Sequence, residues 1–159
     1  MLRNLLTARY TTQASNISMI NEGLSGEKVR DPATLTRFTN AVANRRPEVV
    51  LIMHGYNDIE NAGVITASVN AVDAMMAEAR NRRVGRVFVI NLAPGRPGNL
   101  ARPNSSIVAF NDRLFRAASG EGAVYVDIYS AMQANATTYI GVDGLHPNEA
   151  GYRKIAETV

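Results

Sequence analysis

The chain has 159 residues, 46% of them hydrophobic, which is enough for about one domain with a well-buried core and argues against disorder. It holds no cysteine and only two histidines, His54 and His146, so disulfides and thiolate metal sites are excluded and no metal or other cofactor is expected. The formal charge of +3 comes from scattered arginines without a stripe of interleaved aromatics, so a solvated basic surface is expected and a nucleic-acid partner is not. No apolar run approaches the roughly 20 residues that span a bilayer, and the N-terminus lacks the charge, apolar run and cleavage site of a signal peptide.

Leu2, Leu5, Leu6 and Arg9 follow helical spacing, so residues 1 to 10 read as the later part of a helix without a visible N-cap. Ile17-Ser18-Met19-Ile20-Asn21 reads as a strand. The loop after it, Glu22-Gly23-Leu24-Ser25-Gly26-Glu27, has two glycines that permit positive φ or close approach of backbone to a ligand. Asp31 and Pro32 supply the cap and first position of a helix with Leu35, Phe38 and Val42 inward, ending at Arg45 and Arg46.

Val49-Val50-Leu51-Ile52-Met53 is unbroken apolar sequence, as expected of a strand covered on both faces and central in a parallel sheet. His54-Gly55-Tyr56-Asn57-Asp58 follows at once, then a helix over 64–81 with Ile65, Val69, Val72, Met76 and Ala79 inward. Met75 and Met76 are read as core filling. Val87 to Leu92 is another buried strand. The longest irregular stretch, 93–103, holds three prolines and two glycines and suits a wall beside a cleft. A helix over 105–118 carries Ile107, Phe110, Leu114 and Ala117; Val124 to Ile128 is a further strand; and Asn148 caps a last helix with Tyr152, Ile155, Ala156 and Val159 on one face. Strand and helix alternate throughout, which predicts a three-layer α/β/α sandwich around a parallel sheet.

In such sheets ligands collect at the carboxyl ends of the strands. The loops at 22–27 and 55–58 both follow strands there, and Asp143-Gly144-Leu145-His146-Pro147 can fold back onto the same edge. A histidine acting as general base needs its second ring nitrogen held by an acceptor, which Asp143 supplies if Gly144 makes a tight turn. Backbone amides and the Asn57 amide can donate to a developing oxyanion while His146 moves a proton, which is the equipment of acyl transfer. The alternative is a surface Asp and His beside a turn. His54 is expected to be a hydrogen-bonded strand-end residue and Asp58 to bond loop amides. Asp127 is expected to bond the loop bearing His146, and Asn91 and Arg96 to lie near the cleft edge.

Asn21 to Glu27, Gly55-Tyr56-Asn57-Asp58 and Asp143 to Pro147 resemble, in order and spacing, the second, third and fifth blocks of the SGNH hydrolases, also called GDSL esterases and lipases. The likeness implies a flavodoxin-like parallel sheet, with His146 as base, Asp143 as its orienting acid, and Gly26 and Asn57 as oxyanion-hole donors. It implies a small acyl ester as substrate, since family members hydrolyse acyl esters, thioesters, lysophospholipids and acetylated sugars without a metal. The family's first block, a strand ending in Gly-Asp-Ser with the nucleophile, has no counterpart, because no Gly-Asp-Ser occurs in the sequence. That strand should lie between those matching 17–21 and 49–53. Three readings follow: a single SGNH-like domain truncated at its N-terminus, with Met1 an internal methionine; an inactive ligand-binding relative; or a substitute nucleophile such as Ser25 or a water. A vacant strand position also invites pairing of two chains into a homodimer.

Overall fold

The computed structural model describes residues 1–59 and 62–159. The elements are α1 (Leu2–Arg9), α2 (Pro32–Arg45), β1 (Val49–Ile52), α3 (Ile65–Asn81), β2 (Arg86–Ile90), α4 (Asn104–Glu121), β3 (Val124–Val126), the short α5 (Ile128–Met132) and α6 (Ala136–Tyr139), and α7 (Glu149–Thr158). Among the described residues the strands form one parallel sheet in the order β1-β2-β3, with Leu51 opposite Phe88 and Phe88 opposite Val124.

Alternation along β2 builds the layers. Val87 and Val89 turn to one face, joining Ile52, Val72, Met76, Ile107, Phe110 and Leu114 from β1, α3 and α4. Phe88 and Ile90 turn to the other, joining Val126, Ile128, Met132, Ile140 and Ile155. Two apolar clusters on opposite faces of one sheet make the three-layer α/β/α sandwich that the pattern predicts. The helices follow the expected spacing: Ile65, Val69, Val72, Met75, Met76 and Ala79 are all buried along α3. Asp31 and Pro32 stand at the start of α2, although the Asp31 side chain makes no capping bond.

Four expectations need correction. Ile17–Asn21 forms no strand among the described residues, because a strand exists only through a ladder partner and none lies beside it. β1 is an edge of the described sheet, and β2 is central. The α5–α7 layer covers β2 and β3 but stops short of β1, which leaves Val49, Leu51 and Met53 45, 38 and 39% exposed. β3 ends at Val126, since Asp127 Oδ1 accepts the Ser130 N–H at 3.0 Å and so caps α5 from Ile128 onward. On α7, Tyr152 is exposed; the inward face is Gly151, Ile155 and Ala156, with Gly151 pressed so closely on the Tyr139 carbonyl that a Cβ would come within 2.1 Å.

Candidate active site

The turn at 141–147 is closed by its own backbone. Gly141 N–H donates to the His146 carbonyl at 2.7 Å, Gly144 N–H to the Gly141 carbonyl at 3.0 Å, and Ile140 bridges antiparallel to Pro147. Gly144 has φ +86°, and a side chain there would meet the Arg96 carbonyl at 2.5 Å, so glycine is required twice over. Within this turn Asp143 Oδ1 accepts the N–H groups of Leu145 and His146, both at 3.0 Å, and Oδ2 lies 2.7 Å from His146 Nδ1. The Leu145 N–H, the imidazole and the His146 N–H together pull the Asp143 carboxyl down to about 2. The acid fixes the ring by Nδ1, while the His146 side chain stays 62% exposed with no described protein group bonded to Nε2. That arrangement suits a proton acceptor facing outward.

Two further loops are tied to each other. Gly55, at φ +121°, lies against Phe110, whose ring would stand 2.5 Å from an added Cβ. This lets His54-Gly55-Tyr56-Asn57-Asp58 turn tightly off β1, closed by Asp58 N–H to the Gly55 carbonyl at 3.0 Å. Asp58, 1% exposed, accepts Val29 N–H at 2.9 Å, Arg30 N–H at 3.2 Å and Arg30 Nε at 3.1 Å, so it bonds loop amides as expected. Asn57 Nδ2 donates to the Glu27 carbonyl at 3.0 Å, which ties the Asn57 amide to the main chain one residue past Gly26 and leaves its second N–H for a ligand. Gly26 has φ +77° with open space around it, and Ser25 is exposed in the same turn. His54 is hydrogen-bonded through both ring nitrogens, to Glu27 and to the Gly55 N–H.

The stretch 93–103 joins the two groups. Tyr56 hydroxyl donates to the Ala93 carbonyl. Asn104 holds Gly95 through both its amide atoms, at 2.9 and 3.2 Å. Beyond it Arg96 N–H reaches the Gly144 carbonyl at 3.3 Å and Leu100 N–H the Asp143 carbonyl at 2.8 Å. Gly98 packs so tightly that a Cβ would lie 2.3 Å from the Asp143 carbonyl carbon. The structure therefore joins Asp143 to His146 directly, Asn57 to the Glu27 carbonyl directly, and the two pairs through Tyr56 and 93–103. No hydrogen bond among the described residues runs from His146 to Asn57 or Gly26.

Three expected neighbours of the cleft have other employment. Asn91, 1% exposed, donates Nδ2 to Asp127 Oδ1 at 2.8 Å and to Tyr125 hydroxyl at 2.9 Å, and accepts Ile128 and Tyr129 N–H at 2.9 and 3.0 Å. Asp127 thus serves α5 and Asn91, not the His146 loop. Arg96 donates Nη1 to the Thr137 and Ile140 carbonyls at 3.2 Å, bracing the His146 turn from behind. Glu27, Arg37 and Tyr56 escaped the sequence reading; the one available signal was a carboxylate directly after the candidate donor Gly26. Among the described residues no group of three His, Asp or Glu side chains is placed to hold a metal.

The three-layer parallel sheet is that of an SGNH-type fold, and residues 1–154 match the model of the GDSL-like lipase/acylhydrolase family. The chain belongs to that family. Among solved structures it is similar to an α/β hydrolase, LAE5, from the metagenome of Lake Arreo, with TM-score 0.81 and 22% identity over 99% of this chain and 76% of that one. It is also similar to a serine-to-alanine mutant of an acetyl esterase with an acetate ion, at TM-score 0.77 and 23% identity over 99% and 86%. A third is a catalytic mutant of an acetylxylan esterase from Geobacillus stearothermophilus, at TM-score 0.79 and 19% identity over 99% and 76%. No curated protein matches the chain. No described helix is long and apolar enough to cross a membrane.

Proposed function

We propose that this protein belongs to a serine acyl-transfer esterase whose attacking hydroxyl is supplied by a block outside these 159 residues. The observation that carries the reading is the Asp143 Oδ2 to His146 Nδ1 contact of 2.7 Å with Nε2 left facing solvent. In the reaction, Nε2 takes the serine proton as the oxygen attacks the acyl carbon. The carbonyl electrons move onto oxygen, where the Gly26 N–H and the free N–H of Asn57 receive them. Collapse expels the alcohol with the proton from His146, and water releases the acyl group by the same steps. No metal is needed for any of these.

The open side of β1 supports a missing strand. β1 is an edge of the described sheet although its sequence suits a central strand, and Met19, Ile20 and Leu24, ahead of α2, are 44, 56 and 61% exposed. On this reading residues 1–159 are one domain lacking its N-terminal strand, and without it two chains pair through the open edge. Acetyl esters are the first substrates to try, since two of the similar structures are of esterases named for acetyl groups.

Loss of one triad member leaves roughly 10³ to 10⁴ over water in a serine hydrolase, and each oxyanion donor is worth about 10² to 10³, so the unaided chain is expected to be nearly inert. The test is to fuse ahead of Met1 an apolar strand ending in Gly-Asp-Ser. The fused chain should react with a fluorophosphonate at its new serine and hydrolyse p-nitrophenyl acetate, and His146→Ala should abolish both. A folded fusion that does neither would overturn the reading. The second reading, an inactive acyl-ligand binder, is favoured by the absence of Gly-Asp-Ser and predicts that same silent fusion. Labelling of Ser25 in the unfused chain would instead support the substitute nucleophile.

A further inference from the structure

The loop carrying Gly26 is held by side chains from α2 and the Asn57 loop, Arg45 Nε meeting Glu22 Oε1 at 3.2 Å at its start. No residue of α1 or of the following turn at Thr11–Asn16 is buried. Burial begins at Glu27, whose side chain is 9% exposed, and Val29. Arg37 of α2 grips its carboxylate with both fork nitrogens, Nε to Oε1 at 2.8 Å and Nη2 to Oε2 at 2.5 Å. Nη1 of the same arginine donates to the Glu22 carbonyl at 2.6 Å, so one guanidinium holds both ends of the loop.

The other side of the clamp is His54, whose Nε2 lies 3.1 Å from Glu27 Oε2. Its Nδ1 accepts the Gly55 N–H at 3.0 Å, which assigns the ring proton to Nε2 and makes the neutral imidazole a donor to the carboxylate. The Glu27 main-chain carbonyl meanwhile takes Asn57 Nδ2 at 3.0 Å. One residue thus joins α2, the end of β1 and the Asn57 loop to the segment that presents Gly26.

We propose that Glu27 is the positioning residue of this site: its clamped carboxylate sets where the Gly26 N–H stands relative to the Asn57 amide, and so how tightly the pair holds an acyl oxygen. The clamp stands on its own geometry, whereas the nature of the ligand rests on the acyl-ester reading above. A bidentate charge-assisted pair fixes orientation as well as distance, and donors that need no rearrangement bind an anionic oxygen most strongly. Glutamine cannot replace the carboxylate, because its NH₂ would face the N–H groups of Arg37 or His54. Arg37 is also the largest of the influences that hold the Glu27 carboxyl down to about 2, so the clamp stays charged at neutral pH.

Acetate is the probe, titrated into the ¹⁵N-labelled chain at neutral pH, with folding followed by circular dichroism. Glu27→Gln should weaken acetate binding tenfold or more while the bond between Asp143 and the His146 ring keeps its signature. Arg37→Lys, which retains charge but loses the fork, should weaken it at least threefold. Unchanged affinity in folded Glu27→Gln would overturn the proposal; should that variant not fold, unchanged affinity in Arg37→Lys decides against it equally. A second readout needs no ligand: the Asn57 side-chain NH₂ resonances should move toward free-amide positions in either variant, and resonances that stay in place also overturn it. If the unaltered chain takes no acetate at all, the acyl-ester reading fails, and the clamp is judged by the Asn57 resonances alone.

Discussion

Asp143 holds His146 by both ends of the residue, with Oδ2 2.7 Å from ring Nδ1 and Oδ1 accepting the His146 backbone N–H at 3.0 Å. Ring and backbone are therefore oriented by one carboxylate, and the same Oδ1 takes the Leu145 N–H. Asp143→Asn keeps an acceptor at one position only. It should leave the 159-residue chain folded but abolish the His146 Nδ1–H signal that proton spectra of the unaltered chain should show.

The pH dependence has a definite sign. Asp143 is lowered from 3.8 to about 2, first by the Leu145 N–H and then by the imidazole, and Glu27 from 4.5 to about 2, first by Arg37. A carboxylate whose folded value lies below its unfolded one adds stability above the unfolded value and loses it as pH falls through the folded one. Carboxyl ¹³C titrations should therefore show both groups ionised from neutrality down to about pH 3, with stability falling in the window between their ordinary values and about 2. A midpoint near 4 for either would break the link between its hydrogen bonds and its acidity.

Gly55 and Gly98 are fixed by contact. Gly55→Ala combines a left-handed φ of +121° with a methyl 2.5 Å from Phe110 and is expected to cost about 2–4 kcal/mol by urea unfolding. Gly98→Ala drives a methyl into the Asp143 carbonyl, so its larger effect should be a shift of the Asp143 and His146 resonances.

Asn91 satisfies four partners at once. Truncation to alanine strands the Ile128 and Tyr129 N–H groups, while Asp127 keeps the Ser130 N–H and the Tyr125 hydroxyl keeps the Asn111 carbonyl. A loss of about 1–3 kcal/mol is expected from urea midpoints, with the buried Ile128 N–H as the group left unpaired.

The open side of β1 should be adhesive. Sedimentation velocity of the 159-residue chain should show a dimer fraction that rises with concentration, and Leu51→Lys should remove it. A chain that stays monomeric at all concentrations would contradict edge pairing.

Much of the fold was legible because helix periodicity is local. The inward faces of α2, α3 and α4 follow from spacing alone. What failed was non-local. Ile17–Asn21 has strand composition, but pairing depends on a neighbour that composition cannot supply. Val49 to Met53 advertises burial on both faces, and that is a property of the sheet it suits, not of the coverage found here. Position along the strands puts Asn91 near the cleft edge and Asp127 toward the loop bearing His146, yet a 2.8 Å bond between them directs both toward α5. The candidate site shows the same division: Asp143 and His146 are three positions apart and could be read directly, whereas the Glu27 clamp joins residues ten and twenty-seven positions apart.

The most direct measurement is a crystal structure of the chain soaked in acetate. The account predicts one carboxylate oxygen within hydrogen-bonding distance of the Gly26 N–H and Asn57 Nδ2, with His146 Nε2 within about 3 to 4 Å of the ion. Acetate bound elsewhere only, or an Asn57 amide and His146 ring too far apart to touch one ligand, would contradict it.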